Sequence, residues 1–213
     1  MADIRLGRLY VPDERDKLHP MSARLDLAEP LPAGKVWHTG PVLDQNGTPQ
    51  CVAYAGEAWL MASPLCTKTG PTPEQIYLAA QAIDGWPLPH DGTSVRAVEQ
   101  VLQAEGRIAE YVWAESLDVL KRWVLTRGTV ILGTNWYESM FTVRDGYVKV
   151  AGQVIGGHGY LCVGYSGARK AYRCLNSWSK FWGDNGRFWI HEEDVARLLA
   201  EQGEACAAIE KKP

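Results

Sequence analysis

Gln45-Asn46-Gly47-Thr48-Pro49-Gln50-Cys51-Val52-Ala53-Tyr54-Ala55 is the stretch whose reading decides the fold. Asn46-Gly47 and Thr48-Pro49 carry turn chemistry. From Cys51 onward the apolar residues Val52, Ala55, Trp59 and Ala62 recur at three- and four-residue steps, the mark of an amphipathic helix running to about Ser63. A loop therefore feeds directly into a helix, and Cys51 opens it. Backbone N–H groups at a helix N-terminus favour the thiolate, the nucleophilic form of cysteine, so a thiol at this place is set to react.

Further along, Gly156-Gly157-His158-Gly159-Tyr160 offers an imidazole. Leu175-Asn176-Ser177-Trp178-Ser179-Lys180-Phe181-Trp182-Gly183-Asp184-Asn185-Gly186 offers a carboxamide walled by tryptophans. Cysteine, histidine and asparagine in this order read as nucleophile, base and orienting group. The set resembles the papain family of cysteine peptidases, in particular its short bacterial-type members lacking a long propeptide. Gln45 stands six residues before Cys51, as the family glutamine does before its nucleophile, and Asn-Ser-Trp-x-x-x-Trp-Gly-x-x-Gly is intact from Asn176 to Gly186. The resemblance spans about residues 31 to 195.

That resemblance implies an α+β fold with a helical half, a β-sheet or barrel half, and a cleft between them. It implies that Cys51 attacks, His158 exchanges the proton and Asn176 holds the imidazole. The Gln45 amide and the Cys51 N–H would form the oxyanion hole. Gly92 and Thr93, in Asp91-Gly92-Thr93-Ser94-Val95-Arg96-Ala97-Val98, would line the substrate cleft. Gly157, Trp178 and Trp182 would border it too, with Trp178 on the leaving-group side and both tryptophans shielding the His–Asn hydrogen bond. No cofactor is implied. Three departures matter: Val52 replaces the usual tryptophan after the nucleophile, Thr48 a disulfide cysteine, and Gly157 an acidic residue. The stapling bridge is therefore missing, while the catalytic positions are filled.

The 213 residues suffice for a well-buried core. A formal net charge of −3 without a basic tract gives no electrostatic reason to expect nucleic acid or an anionic membrane as partner. The expected partner is a peptide or protein substrate. Five cysteines, Cys51, Cys66, Cys162, Cys174 and Cys206, are too few and odd in number for a disulfide scaffold, which favours reduced thiols in an intracellular setting. Cys162 and Cys174 sit in apolar strand-like runs and read as small buried hydrophobes. No spacing suits a metal. The N-terminus lacks the apolar stretch of a secretory signal. His19, His38, His90 and His191 read as solvated side chains without partners.

Along the chain, residues 1–35 are broken by Pro12, Pro20, Pro30 and Pro32 and form an extended arm, a surface strap or a limit on cleft access. Being shorter than a folded propeptide, it is expected to leave the protein active without trimming. Residues 36–127 form a mainly helical half carrying Cys51, with helices at Pro73–Ala82, Ser94–Glu105 and Ser116–Thr126. Residues 128–213 form a mainly β half carrying His158 and Asn176. Its strands lie at Thr129–Gly133, Tyr147–Val150, Gly159–Tyr165, Ala171–Leu175, Arg187–Ile190 and Ala205–Ile209, with a helix at Glu192–Gln202. The expected activity is peptide-bond hydrolysis through an acyl-thioenzyme. The same site on the same fold would also suit a deamidase, a transglutaminase-like enzyme or a cell-wall amidase, and an emptied site would leave a silent peptide-binding module.

Overall fold

The structure, a computed structural model, describes residues 4–67 and 69–211. Two short 3-10 turns, Glu14–Leu18 and Met21–Arg24, precede β1 (Gly34–Val36). Helices α1 (Cys51–Met61), α2 (Pro73–Gln81) and α3 (Val95–Ala104) follow, then β2 (Ile108–Trp113) and α4 (Leu117–Thr126). The remainder is β3 (Val130–Tyr137), a third 3-10 turn (Glu138–Phe141), β4 (Val154–Ser166), β5 (Ala171–Leu175), β6 (Arg187–His191), α5 (Glu192–Ala200) and β7 (Glu204–Glu210).

Helix starts follow from side chains that satisfy free N–H groups. Thr72 and Gln75 form a reciprocal capping box on α2, with Pro73 in the first turn. Ser94 and Ser116 accept from the N–H groups of Ala97 and Val119 at the starts of α3 and α4. Helix α1 departs from the amphipathic expectation, because both its stripe and its flanks are buried: Cys51, Val52, Ala53, Ala55, Gly56, Ala58, Trp59 and Leu60. Its small residues allow close approach, since a Cβ on Gly56 would lie 2.7 Å from Val98 Cγ1 of α3.

The strands form one antiparallel sheet in the order β2-β7-β3-β4-β5-β6, with β1 paired to the end of β4. It does not close, so the barrel alternative falls and an open sheet remains. Alternation along β3 divides the interior in two. Val130, Leu132 and Trp136 join Tyr160, Cys162 and Phe188 in one core, while Ile131 joins Leu161, Val163 and Leu175 under α1, α2 and α3 in the other.

Two sequence expectations need correction. Ile108–Trp113, within the stretch read as helical, is an edge strand whose partner is β7 near the other end of the described chain. Tyr147–Val150 is not a strand: Tyr147 exchanges hydrogen bonds with Arg144 across a tight turn, and Val148 N–H reaches only Trp189 O. The chain then turns at Gly152, where φ is +86°.

Candidate active site

Cys51 occupies the first turn of α1, with its side chain fully buried. The helix end rests on β4 because Gly159 has no side chain; a Cβ there would lie 3.0 Å from Val52 Cα. That close approach lets Gly159 N–H donate to Cys51 Sγ at 3.4 Å. His158, the preceding residue, thus stands beside the thiol.

The polarity of the imidazole follows from its neighbours. Asn176 Oδ1 accepts from Ser177 N–H at 2.9 Å, which fixes that atom as the oxygen, and meets His158 Nε2 at 2.8 Å. Nε2 must therefore carry the hydrogen and donate, which leaves Nδ1 as a lone-pair acceptor. Nδ1 is buried and has no hydrogen-bond partner among the described residues. Three aromatic rings hold the imidazole: Trp136 edge-on at 4.7 Å, Trp178 tilted at 4.7 Å, and Tyr160 at 5.9 Å between ring centres.

Gln45 is held by four contacts. Its Oε1 accepts from Ser177 Oγ at 2.7 Å and Trp178 Nε1 at 3.2 Å, so the amide nitrogen faces the other way. Nε2 donates to Thr48 O at 2.6 Å and Arg5 O at 2.9 Å. The second of these acceptors belongs to the N-terminal arm.

The strap expected on the surface instead runs through the cleft. Gly7 N–H is directed at the Cys51 sulfur. Gly7 O accepts from Thr93 N–H at 2.9 Å, Arg8 N–H donates to Gly157 O at 3.0 Å, and Leu9 N–H donates to Thr93 O at 2.9 Å. The groove is too narrow for added side chains: a Cβ on Gly7 would lie 2.0 Å from Pro49 O, one on Gly92 2.4 Å from Gly7 O, and one on Gly157 2.3 Å from Arg8 O. Gly92 also has φ at +92°, a backbone that suits glycine. Of the two roles read for the arm, surface strap or limit on cleft access, these contacts favour the second.

Enclosure sets the electrostatics. Burial pushes the Cys51 thiol up, against the lowering effect of N–H groups from Gly159, Gly7 and Val52. Burial also holds the His158 imidazole down at about 4, although the bond to Asn176 acts in the opposite direction. Both shifts favour neutral thiol and neutral imidazole. The thiolate expected from the helix N-terminus is thus disfavoured while the arm lies in place, because desolvation outweighs the backbone donors.

Of the residues singled out from sequence, Cys51, His158, Asn176 and Gln45 come together, with Gly157 and Thr93 bonded to the arm and Gly92 packed on it. Trp178 lies against His158, whereas Trp182 stands behind it, packed on Trp178 and Phe188 and donating to Phe141 O. His90 is not free, since its Nε2 meets Asp84 Oδ2 at 3.0 Å. Cys162 and Cys174 are buried cross-strand neighbours, and Cys66 is exposed. Sequence reading missed Trp136, Ser177, Gly159 and the arm residues Arg5, Gly7 and Arg8. Ser177 and Gly159 were visible as neighbours of quoted residues, but nothing local marked the others. Among the described residues no cluster of His, Cys, Asp or Glu could hold a metal, and no helix is long and apolar enough to cross a membrane.

The whole chain superposes on xylellain, a cysteine protease from Xylella fastidiosa, with a TM-score of 0.75 at 21% identity, covering 100% of this chain and 99% of that one. Digestive procathepsin L2 proteinase from Tenebrio molitor larval midgut gives 0.74 at 17% identity, over 98% of this chain and 79% of that one. Procathepsin L 3 from the same source gives 0.69 at 14%, over 98% and 76%. At these identities the likeness is one of fold. No curated protein matches the chain significantly. The model of the papain family cysteine proteases matches residues 86–207, more than half of the sequence and including both His158 and Asn176. The chain belongs to the papain family of cysteine proteases.

Proposed function

We propose that the protein hydrolyses peptide bonds through a Cys51–His158–Asn176 triad, with Gln45 and the Cys51 N–H binding the oxyanion. The observation that carries this is the His158 Nδ1 left as a free acceptor because Nε2–H is committed to Asn176, on the residue before Gly159, whose N–H donates to Cys51 Sγ. Cys51 Sγ attacks the substrate carbonyl as its proton passes to Nδ1. His158 then protonates the leaving amine, giving an acyl-thioester. Water, deprotonated by the same nitrogen, releases the acid and restores the thiol. Asn176 moves no proton in these steps. It holds the ring in the tautomer that keeps Nδ1 available.

A peptide is the substrate the groove suits. The arm lies in it as extended main chain, using carbonyl and N–H groups at Thr93 and Gly157 that any peptide presents. The same contacts keep the site closed, so turnover requires the arm to move. The test is covalent labelling by a peptidyl epoxide, with mass mapping, alongside cleavage of a peptide library. Labelling confined to Cys51 and abolished in Cys51→Ala, with cleavage of internal peptide bonds, is expected. A folded protein that neither labels nor cleaves with the arm displaced is not a peptidase.

A further inference from the structure

The imidazole of His158 is the second ring of an aromatic column. Tyr160, His158, Trp178 and Phe141 follow one another with ring centres 5.9, 4.7 and 5.5 Å apart and successive planes turned by 28°, 31° and 4°. Trp136 lies across the side of this column. Its plane makes 68°, 71°, 81° and 84° with Tyr160, His158, Trp178 and Phe141, at 5.7, 4.7, 5.3 and 6.3 Å between ring centres. One indole therefore borders all four rings. The sheet puts it there: Thr134 of β3 pairs with His158 of β4 and Trp136 with Gly156, so Trp136 and His158 are diagonal neighbours on one face, within reach of a large side chain. Gly156, directly opposite Trp136, adds no side chain to that face.

Trp136 is fully buried, and its Nε1–H has no hydrogen-bond partner among the described residues. Burying an unpaired donor is unfavourable, and phenylalanine or leucine would fill a core position without it. What the indole adds is breadth, enough to border the column from Tyr160 to Phe141. The use of that breadth follows from how the imidazole is held. The rings of Tyr160 and Trp178 lie on its two faces and oppose tilting out of plane. Asn176 pins one atom, Nε2, at 2.8 Å. Neither restraint stops the ring from swinging within its own plane about the pinned atom, which would carry Nδ1 sideways. Because the column takes both faces of the imidazole, Trp136 meets its edge, as a wall perpendicular to that swing.

We propose that Trp136 is a positioning residue for the reaction: it confines the His158 ring within its own plane, so that Nδ1 keeps one position through both proton transfers. The inference rests on the peptidase reading above. It adds to the triad a residue that touches no substrate and moves no proton, and that acts only through the histidine. Its part differs from that of Trp178, which covers a face of the imidazole, and from that of Asn176, which fixes the tautomer.

The test is a graded series in the full-length chain, Trp136→Phe and Trp136→Leu. Because the seated arm and a peptide compete for the cleft, closure enters KM, and kcat at saturating peptide reports the open site. Trp136→Leu removes the wall and should lower kcat by about ten- to a hundredfold, the scale on which a misplaced catalytic group slows a reaction, with KM within about twofold. Trp136→Phe keeps a narrower wall and should fall between that variant and the wild type. The second readout is relaxation dispersion of the His158 ring, labelled with carbon-13 at Cε1, which senses microsecond-to-millisecond motion. It should be flat in the wild type, appear in Trp136→Phe and be larger in Trp136→Leu. Melting temperatures taken alongside separate lost kcat from lost fold, and if Trp136→Leu does not fold, Trp136→Phe carries the comparison. A folded variant with the kcat of the wild type, or a lowered kcat with the His158 ring as still as before, makes Trp136 core packing only and overturns the proposal. Dispersion already present in the wild-type ring overturns it too, and all three results leave the peptidase reading standing. If the wild-type chain cleaves no peptide and takes no epoxide at Cys51 with the arm displaced, the peptidase reading itself fails, and this inference with it.

Discussion

The backbone carbonyl of Arg5 takes a hydrogen bond from the Gln45 side-chain amide at 2.9 Å, the donor proposed above to bind a substrate oxyanion. Gly7, two residues on, directs its N–H at the thiol. One stretch of arm therefore meets both the proposed nucleophile and the proposed oxyanion donor, so in the proposed mechanism a seated arm and turnover exclude each other.

Gly7→Ala should open the site. The added Cβ would lie 2.0 Å from Pro49 O and 2.5 Å from Pro49 C, backbone atoms that cannot turn aside as a side chain would. Overpacking of this kind costs about 1–3 kcal/mol, enough to raise the open population by roughly ten- to a hundredfold. Alkylation of Cys51 by iodoacetamide at neutral pH, followed by peptide mapping, should accelerate accordingly. Equal rates in the two proteins would show that the arm does not guard the thiol.

Acidification should favour opening as well. In the closed form burial holds His158 at about 4, and re-hydration returns it toward its ordinary value of 6.5. The open form therefore binds more protons between those values, and by linkage its population rises as pH falls from about 6.5 toward about 4. The largest slope from one such group is about tenfold per pH unit. Hydrogen exchange of the amides of Arg8 and Leu9, corrected for its intrinsic pH dependence, should lose protection over this range. In His158→Ala that pH-dependent loss should be reduced, the remainder coming from Glu204, which loses its Arg8 partner when the arm leaves.

The motifs that were legible in the sequence share one property: their partners are near in the chain. Gln45 and Cys51 are joined by a single turn, and Asn176 and Ser177 are adjacent. His158 and Cys51 are distant in sequence, but the family pattern supplied the link that spacing could not. The arm had no such pattern. Arg8 meets Glu204 from the opposite end of the chain, and Gly7 meets Thr93 and Pro49 through main-chain atoms, which carry no residue signature. Strand β2 was missed for the same reason, since six residues after Gly106 acquire meaning only from their pairing with β7. The thiol's charge state was misjudged because helix-terminus reasoning is local, whereas burial by a distant segment is not.

Gln45→Ala should separate two effects that usually move together. Removing the amide deletes one anchor of the arm, so epoxide or iodoacetamide labelling of Cys51 should rise. It also deletes the proposed oxyanion donor, so kcat should fall by about 10² to 10³. Asn176→Ala should keep measurable activity, since its proposed part is orientation, while Cys51→Ala should have none. If Gln45→Ala turns over peptides at the rate of an opened wild-type protein, the side chain belongs to the arm's docking site and not to the chemistry.

Away from the site, Glu99 gives a prediction about stability. This α3 residue is fully buried, neither carboxylate oxygen has a hydrogen-bond partner among the described residues, and burial pushes its pKa up to about 8. In the unfolded chain it titrates near 4.5. Between the two values the folded protein keeps a proton that the unfolded chain has released. Folding stability from this group is therefore fully present below about 4.5 and is lost as pH rises through about 8. At pH 8 the loss is on the order of a few kcal/mol, since each unit of difference corresponds to about 1.4 kcal/mol. Glu99→Gln keeps the shape and removes the titration. Urea unfolding at pH 4.5 should give nearly the same midpoint for the two proteins, while at pH 8 the variant should unfold at clearly higher urea. A wild type and variant whose midpoints differ equally at both pH values would show that Glu99 is not carried as a neutral acid in the fold.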